Sequence, residues 1–458
     1  MAVVADRMRP WFTIFPNNRR LKTAPLTPTD PTPDTKSHGL LDEYRAAVQV
    51  IALTDVGMRR RNNQDSLAYH LADGRTAWER SGHLFVVADG MGAHAAGELA
   101  SRLAVDLVQH HYEKQQLPHP VENLRRALIE ANSEIYRRGQ ANMEFRNMGT
   151  TCSALVLAPE GALCAHVGDS RIYRLRGEVL EQWTFDHSLA WELQASQGSR
   201  EDKPPLNVPK NVITRSLGPN PVVAVDLEGP FSLERGDKFL LCSDGLSGQM
   251  TDEEIGVLLQ LLPTPLAAQA MLDLANLRGG PDNISLIAVE VMDPLIATPS
   301  QTAEVPLRPR NQPAPIANRY WILMAISSLA AMVFWVVGQW PIASLLLAIG
   351  LVLLVIGLAH RPTQPLTAVD TSQPWGRAPY RRYLCRADSA MCERLASLIA
   401  ALQDAAAENH WSEATAVIDR LRPAADQAAE RQDFPAAVSG YARLTIEAMK
   451  SIRLARKS

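Results

Sequence analysis

The sequence has few cysteines and almost no excess of charge, and each shortage bears on the class of protein. A net charge of −3 over 458 residues gives no electrostatic reason to expect binding to nucleic acid. The five cysteines are odd in number and show no zinc-binding spacing, which predicts reduced thiols and cytosolic soluble parts. A P-loop and a dinucleotide-binding glycine motif are also lacking. The length exceeds what one hydrophobic core usually organises, so we expect more than one domain.

Short apolar runs meet aspartate at three places in the first two thirds of the chain. Residues 84–88 lead into Asp89 and Gly90, residues 238–242 lead into Ser243 and Asp244, and Asp282 precedes the apolar run 284–291. Asp89 taken alone could equally be the N-cap of the helix that follows. If the three carboxylates converge, they offer the oxygen ligands that a hard divalent cation prefers. They then predict a metal site.

The segment 54–65 adds a fourth carboxylate, Asp65, and the arginines Arg59, Arg60 and Arg61. Guanidinium groups bind phosphate through paired hydrogen bonds, so carboxylates and arginines together suggest metal ions plus a phosphate. These residues belong to a set of eight short sequence blocks. In chain order the blocks are Thr54 to Asp65, Asp89 to Ser101, Met148 to Thr151, His166 to Tyr173, Asp186 to Ser188, Ile213 to Gly218, Ser243 to Gly245 and Gly279 to Asn283. In these blocks the chain resembles the metal-dependent serine/threonine protein phosphatases, the PPM or type-2C family, of bacterial type.

The resemblance implies a fold and a set of roles. The fold class is α+β, an αββα sandwich of two antiparallel sheets flanked by helices. Two Mn²⁺ or Mg²⁺ ions, with a weak third in some members, would activate a bridging water for attack on phosphorus. In the family pattern Asp89 bridges the ions, the Gly90 carbonyl completes one of them, and Asp244 and Asp282 hold the other. No further cofactor-binding residue is implied.

The two remaining roles in the family pattern fall to Arg60, which would grip the phosphate oxygens, and to Asp65, which would orient water on a metal ion. Three positions depart from the commonest pattern: Gln64 and Asn147 stand where the family usually has acidic residues, and Ala93 replaces a glycine. Asn147 would otherwise help to hold the third ion. The predicted function is therefore a protein serine/threonine phosphatase, and the alternative is a weakly active or inactive phosphatase-like scaffold that binds phosphoproteins.

Composition divides the chain into six predicted segments. They are a Pro-rich N-terminal linker (1–44), the phosphatase domain (45–292), a linker (293–319), a two-helix transmembrane hairpin (320–359), a second linker (360–385) and a helical C-terminal region (386–458).

The hairpin prediction rests on residues 320–359, which contain no charged residue. Each half is long enough, at about 1.5 Å per residue, to cross a hydrocarbon core of about 30 Å. Arg319 and Arg361 flank the span and the turn has no basic residue, so both flanks are predicted to be cytoplasmic. This places a multi-pass protein in the cell (inner) membrane. The predicted partners are phosphorylated proteins, namely substrates of a serine/threonine kinase, and the membrane, with no nucleic acid.

The Ala-rich region 386–458 has helical apolar spacing but no cluster of metal ligands. The sequence therefore predicts that it selects partners and that the phosphatase site is complete without it. The alternative is that these helices only pack on one another or on the phosphatase domain.

Overall fold

The computed structural model of the chain describes residues 43–92, 95–114, 120–196, 212–298, 329–342, 344–348, 350 and 376–455. Nearly all of the predicted linker 1–44, most of 293–319 and of 360–385, and much of the predicted hairpin 320–359 lie outside the described residues. Those assignments stay predictions. None of the helices in the described part of the chain is both long enough and apolar enough to cross a bilayer.

Twelve strands are formed in the described residues. In chain order they are β1 (Val48–Asp55), β2 (Asp65–His70), β3 (His83–Met91), β4 (Gly149–Thr150), β5 (Cys152–Ala158), β6 (Gly161–Val167), β7 (Arg171–Arg176), β8 (Val179–Gln182), β9 (Asp226–Phe231), β10 (Lys238–Cys242), β11 (Ile284–Val291) and β12 (Arg381–Leu384).

Eleven α-helices have bounds that the described residues define. They are α1 (Glu43–Ala46), α2 (Arg75–Ser81), α3 (Ala96–Lys114), α4 (Pro120–Ala141), α5 (Leu189–Ser196), α6 (Asp244–Ser247), α7 (Asp252–Leu261), α8 (Thr264–Leu277), α9 (Ser389–Glu408), α10 (Ser412–Glu430) and α11 (Phe434–Ala455). Residues 329–336 and 344–348 are also helical.

The strands form two antiparallel sheets with helices on the outer face of each. The first sheet has the order β1-β11-β10-β7-β8-β12, and the second has the order β2-β3-β5-β6-β9, with β4 paired to β3. Helices α3 and α4 cover the second sheet, while α7 and α8 cover the first. The predicted sandwich of two antiparallel sheets flanked by helices is confirmed.

The layering explains why so many strands are apolar at every position. In β3, Leu84 and Val86 face α3 and α4, whereas Phe85 and Val87 face the other sheet, and all four side chains are buried. Successive side chains of a strand point to opposite faces, so a strand covered on both faces has no position for a polar residue.

The C-terminal region packs against the first sheet and its helices. Strand β12 extends that sheet by pairing with β8, and α9 to α11 share one hydrophobic core with α7 and α8. Residues 381–384 fall within the predicted linker 360–385, and Arg-Arg-Tyr-Leu lacks the apolar pattern of a strand. Its pairing rests on the backbone and on ion pairs such as Arg382 Nε to Glu181 Oε1 at 3.1 Å. Helices α9 to α11 therefore pack on the phosphatase domain, as the alternative prediction for this region stated.

The chain divides into two compact units. One unit comprises residues 1–303 and 374–458, so the sequence returns to the phosphatase domain after an insertion. The other unit comprises residues 304–373.

Candidate active site

Two of the predicted site aspartates lie side by side on paired strands of the second sheet. Asp65 begins β2 and is the register partner of Asp89 in β3. Strand β3 does not stop at Asp89 but continues through Gly90 to Met91, because β4 pairs with its last two residues. Asp89 is therefore a strand residue. The alternative of an N-cap for α3 is wrong, since that helix begins at Ala96.

Asp244 and Asp282 come to the same place from the first sheet. Asp244 opens the short helix α6 directly after β10, and Asp282 lies two residues before β11. The two turns are in tight contact: a Cβ on Gly245 would lie 1.9 Å from the carbonyl oxygen of Asn283. This close approach accounts for the glycine that follows Asp244.

Asn283 organises the loop that carries Arg60. Its side-chain Nδ2 donates to the carbonyl oxygens of Val56 (2.8 Å) and Asn62 (3.0 Å), and its Oδ1 accepts from the backbone N–H of Gln64 (2.8 Å). These three bonds fix both ends of the arginine-rich segment. Arg60 extends from this loop, and its Nη2 lies 2.7 Å from Asp282 Oδ2 with about half of its side chain exposed.

Gly90 and Gln64 bond through their backbones. The Gly90 N–H donates to the Gln64 carbonyl at 3.1 Å, and that carbonyl also accepts from Ser101 Oγ at 2.5 Å. The Gln64 side-chain Nε2 lies 3.5 Å from the Gly92 carbonyl. Gln64 is thus a structural link between β2, β3 and the start of α3.

A fifth carboxylate, Asp169, belongs to the same cluster, although the sequence analysis did not select it. It is buried in the turn between β6 and β7, and its charge raises the pKa of Asp89. The sequence contained one signal, since the motif His166 to Tyr173 was recognised as a block. Asp169 lies two residues after β6, but His166 interrupts the apolar run of that strand, so a search for aspartates beside uninterrupted apolar runs does not find it.

Burial and mutual repulsion raise the pKa values of these carboxyls. Burial raises the pKa of Asp65 to about 7, opposed by hydrogen bonds from Ser243 and Ser285 and reinforced by Asp244 and Asp282. Burial likewise raises the pKa of Asp169 to about 8, with a further contribution from Asp244. A carboxyl that is costly to ionise in isolation is stabilised as an anion by a nearby cation.

The pKa of Asp89 is raised well above its ordinary value, first by burial and then by the other four carboxylates of the cluster. Burial and Asp282 raise the pKa of Asp244, although a hydrogen bond with the Asp89 carboxyl opposes the rise.

The donor set fits divalent cations in its chemistry. Three buried carboxylate oxygens have no hydrogen-bond partner among the described residues: Oδ1 of Asp65, of Asp169 and of Asp244. Buried polar atoms normally find partners, and an ion is one explanation for an orphaned oxygen. As placed, no three His, Cys, Asp or Glu side chains in the described part form a ready chelate.

Two further residues of the family motifs, Asn147 and His187, have a distinct backbone conformation and distinct hydrogen bonds, respectively. Asn147 has a φ of 60°, a left-handed conformation that Asn and Asp tolerate better than other side chains. His187 Nδ1 accepts from the Gly168 N–H at 2.9 Å, and its Nε2 lies 2.9 Å from Asp226 Oδ2. These hydrogen bonds give His187 a structural role. His94, which lies in the block Asp89 to Ser101, is outside the described residues.

Comparison with known proteins gives concordant matches. The family model "Protein phosphatase 2C" matches residues 58–203. Protein phosphatase PhpP of Streptococcus pneumoniae serotype 2 is 34% identical over 250 residues, which cover 53% of this chain and 98% of the relative. The serine/threonine phosphatase stp of Listeria monocytogenes serovar 1/2a is 36% identical over 240 residues, covering 50% of this chain and 94% of the relative.

Among solved structures, the catalytic domain of the serine threonine protein phosphatase PstP, in complex with 2 manganese ions, is 32% identical. The match covers 54% of this chain and 99% of that domain, with a TM-score of 0.46.

The matches to curated relatives confirm the predicted enzyme class and leave the roles of single residues as predictions. Because PhpP is matched over nearly its whole length at more than 30% identity, the chain belongs to the protein phosphatase 2C family of metal-dependent serine/threonine protein phosphatases.

Proposed function

We propose that this chain is a membrane-anchored phosphatase that hydrolyses phosphoserine and phosphothreonine in proteins phosphorylated by a serine/threonine kinase, using two Mn²⁺ or Mg²⁺ ions. The observation that carries the catalytic part is the cluster of five aspartates with orphaned buried oxygens beside an exposed arginine. Oxygen donors without histidine or thiolate favour Mg²⁺ or Mn²⁺ over Zn²⁺.

The residues divide into those that hold the ions and those that act on the substrate. Asp89, the Gly90 carbonyl, Asp244 and Asp282 would hold the two ions. When bound, the ions supply charge to neutralise the phosphate and to activate the attacking water. Hydrolysis moves the phosphoryl group from the serine or threonine oxygen to water, so negative charge on the phosphate must be stabilised throughout.

Arg60 is suited to that stabilisation because its guanidinium already lies at the carboxylate cluster and remains half exposed. A guanidinium can bind two phosphate oxygens at once. Asp65 is suited to orienting water: Ser243 Oγ donates to its Oδ2 at 2.8 Å, while its Oδ1 has no hydrogen-bond partner in the described residues. That oxygen can accept a hydrogen bond from a water.

We expect the full chain to dephosphorylate a phosphoserine or phosphothreonine peptide with Mn²⁺ or Mg²⁺ and to lose this activity in EDTA, because the aspartate cluster then has no cation to balance it. Release of inorganic phosphate across a Mn²⁺ titration measures this. Activity that persists in EDTA would contradict the two-metal mechanism. Binding of the phosphopeptide without turnover at any metal concentration would favour the scaffold alternative. That alternative was considered because Gln64 and Asn147 stand where the family usually has acidic residues.

The membrane anchor is supported by the 40-residue uncharged stretch 320–359, with arginines outside both ends. We expect the protein to resist extraction from membranes by alkaline carbonate and to be released by detergent. In intact cells or right-side-out vesicles, external protease should leave both the phosphatase domain and the C-terminal region uncut. Extraction by carbonate, or cleavage of the C-terminal region from outside, would contradict a hairpin with both flanks in the cytoplasm.

A further inference from the structure

We propose that the segment 376–386, by which the chain returns to the phosphatase domain, supplies positioning residues for the phosphatase site. Tyr380 and Arg381 anchor helix α5 and the buried pair Arg171–Asp186 beside the aspartate cluster. The effect on turnover rests on the proposed function, whereas the effect on the local structure does not.

The first contact is a buried clamp on the second sheet. Glu228 in β9 is 3% exposed, and its Oε2 accepts from the backbone N–H groups of Arg377 (2.7 Å) and Ala378 (2.8 Å). Its Oε1 accepts from the Tyr380 hydroxyl at 2.6 Å. A Cβ on Gly376, which has a φ of 79°, would lie 1.8 Å from the same carboxylate. The segment therefore docks on a site built for it, with each carboxylate oxygen occupied.

The second contact reaches helix α5. The Arg381 guanidinium lies over the Trp191 ring, 4.1 Å from its centroid, and its Nη2 donates to Gln194 Oε1 at 3.0 Å. The Tyr380 ring lies 5.5 Å from that of Phe185, three residues before the buried Ser188 that leads into the helix. Tyr380 and Arg381 of the returning segment thus contact both helix α5 and the residues that precede it.

The third contact joins the helix to the site. The Arg171 guanidinium also lies over the Trp191 ring, at 5.5 Å, and it binds Asp186 through Nε (3.0 Å) and Nη2 (2.7 Å). Arg171 is separated by one residue from Asp169 of the aspartate cluster. The charge of Asp186 acts on Asp169, and the charge of Arg171 opposes it. The geometry of this pair therefore affects the field at the carboxylates.

The base of α5 also connects to Asp89 through the backbone. Leu189 N–H donates to the Val212 carbonyl, and Leu217 exchanges two backbone hydrogen bonds with Thr150, at 2.9 and 3.0 Å. The Thr150 hydroxyl in turn donates to the Asp89 carbonyl at 2.9 Å. A loosened α5 should therefore loosen the strand that carries Asp89. Residues 212–217 join the first of these hydrogen bonds to the others along the chain.

Strand β12 provides a matched pair of variants in the full-length chain. Arg381→Ala removes the contacts with Trp191 and Gln194. Arg382→Ala, at the next residue, instead removes the ion pair between Arg382 and Glu181. Arg381→Lys keeps a cation over the ring and serves as the rescue.

We expect Arg381→Ala to speed amide hydrogen exchange in residues 189–196 and 212–217 and to raise the Mn²⁺ concentration for half-maximal thermal stabilisation. We also expect kcat/KM to fall about threefold to tenfold, the range that loss of one cation–π contact gives. Arg382→Ala should change none of the three, and Arg381→Lys should restore most of each.

Equal behaviour of Arg381→Ala and Arg382→Ala in exchange and in Mn²⁺ dependence would overturn the proposal. If the wild-type chain shows no phosphatase activity, the proposed function fails, but the exchange and Mn²⁺ measurements still decide this inference. A uniform rise in exchange over the whole chain would also overturn it, because that would mean general destabilisation in place of positioning.

Discussion

Asp89→Asn should abolish phosphatase activity and at the same time raise the unfolding temperature of the metal-free protein. Loss of one charged contact at a preorganised site commonly costs a factor of about 10² to 10³ in rate, and a shared ligand should cost at least that. The stability gain follows because burial and four neighbouring carboxylates disfavour the ionised form of Asp89. A neutral amide removes that repulsion.

Thermal unfolding with and without Mn²⁺ separates the two effects. The wild-type chain should be stabilised by Mn²⁺, as any ligand of the native state stabilises it, and Asp89→Asn should lose most of that shift. Asp106→Asn, an exposed change on α3, is the control and should leave both quantities unchanged. Full activity in Asp89→Asn, or an undiminished Mn²⁺ shift, would contradict the role of Asp89 as a shared ligand.

The layered fold could be predicted because its signals are local. Residues 155–167 contain a Pro-Glu-Gly turn between two apolar runs, a pattern that predicts a hairpin, and β5 and β6 form that hairpin. The sequence also predicts long helical stretches over 95–116 and 121–140, and α3 and α4 begin and end within a few residues of these bounds. Cys152 and Cys164 lie on these neighbouring strands as reduced, buried thiols.

The site was predictable where an aspartate borders an uninterrupted apolar run and not where it depends on packing between elements. Asp89, Asp244 and Asp282 carried that local signal, and the structure brings them together with Asp65. Asp169 did not carry it, because His166 interrupts the apolar run of β6 before it. The docking of Tyr380 on Glu228 joins residues 152 positions apart, and no short pattern encodes such a contact.

The packing of the C-terminal helices on the phosphatase domain changes the result that we expect when these helices are removed. Because the sequence predicts that the phosphatase site is complete without these helices, it also predicts that a chain truncated after about Thr371 keeps small-substrate turnover. In the structure, α11 places Arg453 against Asp273 on α8, with Nη1 to Oδ1 at 2.6 Å, and the Asp273 side chain is fully buried. Truncation would also remove Arg394 from the buried Glu254 and all three donors from Glu228.

We therefore expect a chain that ends at Gln373 to be insoluble or to unfold at least about 10 °C below the full-length protein. Removing one partner of a buried ion pair costs about 3 to 5 kcal/mol, and about 1 kcal/mol shifts the midpoint of a domain this size by 2 to 4 °C. The uncovered apolar faces of α7 and α8 add to that loss. Thermal unfolding and turnover of p-nitrophenyl phosphate, measured on both chains with Mn²⁺, test this.

Single substitutions identify which contact matters if the truncated chain cannot be purified. Arg453→Ala should lower the unfolding temperature because Asp273 stays buried without its partner, and the double variant Arg453→Ala with Asp273→Ala should recover part of it, since no unpaired charge then remains. Arg420→Ala, an exposed change on α10, is the control. A truncated chain with the full-length unfolding temperature and full turnover would mean that the helices rest on the phosphatase domain without stabilising it, and their role would then be the choice of partners.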